Sequence, residues 1–160
     1  MKKIILLFVV AGLMTACQKD NKTKEIGERF FKIYSERSEI DKMISFYAPD
    51  FHYENVSFQS EAQDPKFLYE NFYNWKDPNF RFSGKETIKV DEILSNDSVI
   101  VAKGTTMPYS YNGKEVNGTR FVIWLELDKN LKIKKQTDWF DYPMSEIIEA
   151  YYLKQNMKIE

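Results

Sequence analysis

Residues 119–142 read T-R-F-V-I-W-L-E-L-D-K-N-L-K-I-K-K-Q-T-D-W-F-D-Y, and this stretch decides the fold. Large apolar residues take every second position in its first part, which is the period of a strand with one buried face. Asp128–Asn130 predicts a turn, and Leu131–Tyr142 predicts the last long strand. The stretch therefore predicts two neighbouring antiparallel strands. The residues predicted to share one face of the first strand are Phe121, Ile123, Leu125 and Leu127.

The preceding residues continue the strand pattern. Asn112-Gly113 is a two-residue hairpin signal, because a type I′ turn needs positive φ at both central positions. Lys85–Leu94 and Ser98–Tyr111 predict two more strands. Pro108 indicates that the second of these lies at an edge or is bulged there.

The N-terminal part has helical spacing instead. Two short amphipathic helices are predicted, and Pro49 ends the second because the residue before a proline avoids the helical region. Phe51–Phe58 then alternates enough to predict the first strand. The apolar stripes are Ile26, Phe30, Ile33 and Tyr34 in the first helix and Ile40, Met43, Ile44 and Tyr47 in the second.

Two further short helices are expected. Asp64-Pro65 resembles an N-cap followed by proline at the first helical position, so a third helix is predicted near Lys66–Trp75. Ser145 is a candidate cap for a C-terminal helix. The residues expected to face inward are Leu68, Phe72 and Trp75 in the third helix and Ile148, Tyr151 and Tyr152 in the last.

Helices followed by an antiparallel meander predict an α+β domain, with helices packed on one face of a curved sheet. The formal net charge of the 160 residues is −1, and no long run of like charge occurs. The sequence therefore supports neither a nucleic-acid-binding surface nor a polybasic membrane patch.

Two segments resemble a known family. Phe46–His52 (F-Y-A-P-D-F-H) follows the helix pair, and Thr137–Tyr142 (T-D-W-F-D-Y) closes the meander. Both are similar to nuclear transport factor 2-like domains, especially the SnoaL-like group, and the resemblance spans about residues 24–143. It implies a cone, in which N-terminal helices pack on a strongly curved, mixed but mostly antiparallel sheet. A pocket at its wide end would have the first and last strands along its wall.

Asp138 is the strongest single candidate for chemistry. The resemblance places it where limonene epoxide hydrolase and its relatives carry the aspartate that activates water. A carboxylate inside an apolar cone loses solvation, which raises its pKa toward neutrality. His52 could form an acid/base pair with it if both point inward. The other interpretation is a strand histidine bonded to backbone or solvent.

Strand alternation decides which neighbours share a face. His52 and Glu54 share one face of the first strand, whereas Tyr53 and Asn55 share the other. The sequence leaves open which face is inside. The residues predicted for the pocket are His52, Glu54, Gln136, Asp138 and Phe140.

The catalytic sets that the resemblance implies are incomplete. The hydrolase reaction also needs an Arg and a second Asp on a neighbouring strand, and Val101–Tyr109 supplies neither. Steroid isomerases of the same superfamily have a catalytic Asp at the position that aligns near Asn55 and a Tyr at the position that aligns near Phe31. Asn cannot abstract a proton, and Phe cannot donate a hydrogen bond. A single histidine cannot build a multi-His zinc site, and we expect no metal or cofactor.

The sequence therefore favours binding of a small, partly apolar ligand over catalysis. One alternative is a SnoaL-like cyclase, hydrolase or isomerase that uses Asp138 and His52 as acid and base. A second alternative is an interaction module that forms a homodimer through the open sheet face, where Val122, Trp124 or Trp139 could lie.

The segment Met1–Cys17 predicts the location of the protein. Lys2 and Lys3 precede an apolar run over residues 4–14, and small residues precede Cys17, which is typical of a secretory signal peptide. The run spans about 16 Å, roughly half the hydrocarbon core, which disfavours an uncleaved membrane helix. Leu13–Cys17 also resembles the bacterial lipobox, which implies cleavage before Cys17 and lipidation of its sulfur.

The predicted domains are a signal peptide over residues 1–16, a lipidated N-terminus and tether over 17–23, and one domain over 24–160. Acylated Cys17 would hold the protein on a lipid bilayer. Gln18–Asn21 resembles the export signal of some surface lipoproteins; the other interpretation is a solvated tether. We expect an outer-membrane lipoprotein of the cell envelope, surface-exposed on the first interpretation.

Overall fold

A computed structural model describes residues 22–111, 113–145, 147–148 and 152. The predicted signal peptide, Cys17 and nearly all of the tether lie outside the described residues. Within those that are described, no helix has the length and apolar character needed to cross a membrane.

The helices come first, as predicted. Helix α1 covers residues 22–36, and α2 covers Ile40–Ile44. Burial of Phe30, Tyr34 and Met43 confirms the apolar stripes. Helix α2 ends before Tyr47, which begins the first strand, so the expectation that the helix extends to Pro49 is wrong.

The described residues form nine strands in two sheets. The main sheet has the order β2-β1-β9-β8-β5-β4, in which β1 and β9 are parallel and every other pair is antiparallel. This confirms the α+β class with a mixed, mostly antiparallel sheet. The strands are β1 Tyr47–Asn55, β2 Ser60–Ala62, β3 Phe80–Phe82, β4 Ile88–Ser95, β5 Val99–Thr106, β6 Tyr109–Tyr111, β7 Lys114–Val116, β8 Arg120–Leu127 and β9 Ile133–Phe140.

Irregular pairing bends the main sheet. Register shifts occur in three pairs: β1·β9, β4·β5 and β8·β9. Such bulges increase the local twist and bend a strand. Pro49 is exposed within the irregular part of β1, between Tyr47 and His52, where proline costs no ladder bond.

Pro108 separates β5 from β6 and divides the chain between two sheets. Strand β6 pairs with β3 and β7 in a small three-stranded sheet instead of continuing the main one. Tyr111 pairs with Lys114 across the predicted two-residue turn, in which Gly113 has a φ of 77°. Asn112 lies outside the described residues.

The third helix differs from its prediction after one turn. The Asp64 side chain caps α3 (Pro65–Phe67) by accepting the Lys66 N–H at 2.8 Å, as expected. A π-helical turn over Leu68–Phe72 then rotates later residues relative to an α-helix. Phe72 is consequently 38% exposed, and Tyr69 is buried in its place.

The core lies between the helices and the inner face of the main sheet. Along β8, buried and more exposed side chains alternate, which confirms the face predicted for that strand. Near the C-terminus, Ile148 and Tyr152 are exposed, against the expectation that they face inward, and Tyr151 lies outside the described residues. The fully buried apolar side chains include Phe30, Phe31, Phe51, Ile100, Ile123, Leu125 and Ile133.

Candidate binding cavity and its buried aspartate

Asp138 is fully buried on β9 and accepts hydrogen bonds at both carboxylate oxygens. The hydroxyl of Tyr73, the residue after the π-helical turn, donates a short bond to Oδ2. The Tyr53 hydroxyl donates to the same oxygen at 3.3 Å, and Gln136 Nε2 donates to Oδ1 at 3.0 Å. Side chains from three elements therefore hold this carboxyl in place.

A second layer of polar groups supports the first. The Tyr47 hydroxyl donates to Gln136 Oε1 at 2.6 Å. Because that bond uses its only proton, the Tyr69 hydroxyl is the donor in the 2.6 Å bond between the two tyrosines. On the other side, Asn55 Nδ2 donates to the Tyr53 hydroxyl at 3.3 Å. The donors run toward the carboxyl from both sides.

Burial raises the pKa of Asp138 from its ordinary value of 3.8 to about 7, and the hydrogen bonds from Tyr73, Gln136 and Tyr53 limit the rise. The same burial raises the pKa values of the surrounding tyrosines well above their usual range, so these side chains remain protonated donors. The cluster can therefore hold or release one proton near neutral pH, at Asp138.

His52 and Glu54 lie on the other face of the sheet. Glu54 forms an ion pair with Lys135 at 3.4 Å, and Lys135 is the register partner of His52. Tyr53, whose hydroxyl reaches Asp138, takes the inward position between them. The expected His52–Asp138 acid/base pair is therefore corrected: strand alternation points the two side chains to opposite faces.

The three predicted residues of β9 do share the inner face. Gln136 and Asp138 are fully buried, whereas Phe140 lines a cavity. The outer face of the same sheet carries the large side chains considered for a dimer contact: Val122 is exposed, and Trp124 and Trp139 are each 40% exposed.

The cavity has a volume of about 590 Å³ and lies between the end of α1, the π-helical turn, the inner sheet face and the small sheet. Its wall is mostly aromatic. Asp138 is not part of that wall: Tyr73 lines the cavity and bonds the carboxyl behind it. The aromatic residues of the wall include Tyr34, Phe72, Tyr73, Phe80, Tyr109 and Phe140.

Arg37 follows α1 and turns into the cavity wall. Its φ of 48° lies in the left-handed region, which costs a non-glycine residue on the order of 1–3 kcal/mol. Its backbone N–H nevertheless bonds the Ile33 carbonyl at 3.0 Å and closes the helix. Burial lowers the pKa of Arg37 from its ordinary 12.5 to about 10, so the guanidinium is charged at neutral pH.

Comparisons with solved structures identify this arrangement of helices and sheet. A protein from Shewanella putrefaciens described as a SnoaL-like polyketide cyclase superposes with a TM-score of 0.63 at 16% identity, covering 80% of this chain and 96% of that one. An epoxide hydrolase of M. tuberculosis resembling limonene epoxide hydrolase gives a TM-score of 0.60 at 16% identity, covering 84% and 92%. The fold is nuclear transport factor 2-like.

A protein from Kribbella flavida described as a ketosteroid isomerase has the same fold, with a TM-score of 0.57 at 13% identity, covering 78% of this chain and 81% of that one. No protein-family model and no curated protein matches the sequence. At these identities the comparisons show the nuclear transport factor 2-like fold alone, so function must be argued from this chain's own residues.

Sequence reasoning missed most of the groups that surround the carboxyl and the cavity. Tyr53 and Asn55 share one face of the first strand, and the sequence did not decide whether that face or the face of His52 and Glu54 points inward. Tyr69 was missed because an α-helical period does not place it inward. Arg37 lies in the polar segment after α1. The polar residues around it give no sign that its side chain turns inward.

Proposed function

We propose that this nuclear transport factor 2-like domain binds a small, partly apolar ring compound in the aromatic cavity. The cavity itself carries the proposal, because its volume of about 590 Å³ lies within the range of small-molecule sites and its wall is mostly aromatic. A few polar groups in that wall, including Thr106 and Thr119, would orient the ligand.

The position of Asp138 supports binding over catalysis. A general base must come within hydrogen-bond reach of the proton it abstracts. Tyr73 stands between this carboxyl and the cavity, and His52 is on the far face of the sheet. A ligand in the cavity would therefore contact the tyrosine hydroxyl first.

A neutral fluorescent probe tests this proposal. N-phenyl-1-naphthylamine is expected to bind saturably to residues 18–160, with increased fluorescence. Val116→Trp should weaken its affinity about tenfold or more, because Val116 lines the cavity and the larger ring fills it. Val122→Trp makes the same change on the exposed outer face and should bind like the unsubstituted protein.

Two results would contradict the binding proposal. One is the absence of saturable probe binding to folded protein. The other is an equal loss of affinity in the Val116 and Val122 variants, since that would show that the probe does not enter the cavity.

We also propose that acylated Cys17 anchors the domain to a membrane, on the strength of the signal-peptide and lipobox pattern. Full-length protein expressed in a bacterium is expected to enter the detergent phase of a Triton X-114 extract and to incorporate labelled palmitate. Cys17→Ser should lose the label. Label that persists in this variant would refute lipidation at Cys17.

An enzyme of the cyclase or hydrolase type is the second candidate, favoured by the single observation that Tyr73 touches both the cavity and Asp138. Epoxide opening and polyketide cyclisation, the activities named for fold neighbours, are the reactions to assay. Turnover that is lost in Asp138→Asn while probe binding is retained would transfer the assignment from binding to catalysis.

A further inference from the structure

Among the described residues, the charged groups in the cavity wall are of one sign. Arg37 and Lys114 line it, and no Asp or Glu side chain of the described residues does. The whole chain has a formal net charge of −1, so this positive character is local. Asp138, the nearest buried carboxyl of the site, stands behind Tyr73. A ligand in the cavity therefore meets the guanidinium of Arg37 directly and none of the described carboxylates.

Arg37 is held in position before any ligand arrives. Its guanidinium carbon lies 4.9 Å from the ring centroid of Phe80, 5.2 Å from that of Phe82 and 5.6 Å from that of Trp75. Its Nη2 donates to the Tyr73 carbonyl at 2.8 Å. Rings and carbonyl together fix the plane of the guanidinium at the wall.

The same arginine has no anionic partner among the described residues. Across the described part of the chain, no carboxylate is within ion-pair distance of Arg37. Of its five side-chain N–H donors, one is used in the bond to Tyr73. A fixed, charged and mostly unused donor fork at a cavity wall matches a planar oxyanion, which it can bind through two parallel hydrogen bonds.

We propose that the cavity takes a ring compound that carries a carboxylate, with the anion bound by Arg37 and the rings packed against the aromatic wall. This inference rests on the proposed function and names the ligand class for that same cavity.

The test compares two probes of the same shape and different charge. 1-Naphthaleneacetate and 1-naphthaleneacetamide are each used to displace N-phenyl-1-naphthylamine from the protein. We expect the acid to bind about tenfold more tightly than the amide, the effect of one charge-assisted interaction. In Arg37→Gln this preference should disappear while the amide keeps its affinity.

Two further variants separate charge from structure. Arg37→Lys retains the positive charge and should keep part of the preference for the acid. Arg29→Gln removes an exposed arginine of α1, whose guanidinium lies over Phe46, and should keep the full preference. Circular dichroism confirms that each variant is folded.

The outcomes are distinguishable. Equal binding of acid and amide by the unsubstituted protein overturns the inference, and so does a preference that survives Arg37→Gln. If Arg37→Gln binds neither the acid nor the amide, the Arg37→Lys variant decides. A preference for the acid in that variant supports the inference, and failure of that variant to bind either probe overturns it. Failure of N-phenyl-1-naphthylamine to bind the unsubstituted protein refutes the proposed function instead.

Discussion

As the pH rises from about 4 to about 8, Asp138 should lower the free energy of unfolding of the unsubstituted domain by roughly 4 kcal/mol. The Asp138→Asn variant should not show this fall. Burial raises the pKa of Asp138 from 3.8 to about 7 in the folded state. Between these values the folded protein binds a proton that the unfolded chain does not, so stability falls as the pH rises. The loss is complete once the pH exceeds the folded-state pKa.

Urea denaturation at a series of pH values measures this effect. Asn is nearly isosteric with Asp and carries no charge, so the free energy of unfolding of the variant should change less steeply with pH. The control is Asp141→Asn, an exposed carboxylate paired with Arg120, which should alter stability by less than about 1 kcal/mol. An Asp138→Asn variant with the unaltered pH dependence would contradict the raised pKa.

Gly104→Ala is expected to lower the free energy of unfolding by about 3 kcal/mol. Gly104 lies on β5 between Val90 of β4 and Phe121 of β8. A Cβ at this position would be 2.1 Å from the Lys89 carbonyl oxygen and 2.8 Å from Cζ of Phe121. The first of these contacts is with backbone, so the strands themselves must move apart.

Gly84→Ala provides the matched control for this prediction. No atom lies within 4 Å of the Cβ that it would add, so we expect a change within about 0.5 kcal/mol. Urea midpoints of the two alanine variants and the unsubstituted protein make the comparison. Equal stability of both variants would show that the sheet accommodates a side chain at Gly104.

The parts of the fold that follow from local pattern were predictable. The alternation along β8 and the position of Gly113 each follow from the chemistry of a few adjacent residues. The ends of α2 and β1 were not predictable in the same way. Pro49 is compatible both with a helix end and with a bulged strand, and pairing with β9 decides between them.

The candidate site was predictable in one strand only. Asp138 is buried, at the position where the family resemblance of the closing strand placed a carboxylate inside the cone. Its partners depend on two features without a sequence signature: the face that β1 turns inward and the π-helical turn that brings Tyr73 to the carboxyl. Arg37 lines the cavity at the point where the chain leaves α1 in the left-handed conformation, and the sequence there has no glycine to indicate that conformation.

The parallel pairing of β1 with β9 also governs the order of folding. The bond from Tyr47 to Gln136 joins residues 89 positions apart, and that from Tyr53 to Asp138 joins residues 85 apart. Closing such long loops costs entropy before any contact compensates for it, which slows folding. A ribosome must synthesise residues 133–140 before β1 gains this partner. Until then the tyrosines of β1 and one unpaired edge of that strand stay accessible to other chains. The buried aspartate cluster therefore forms late, and incomplete chains are prone to aggregate.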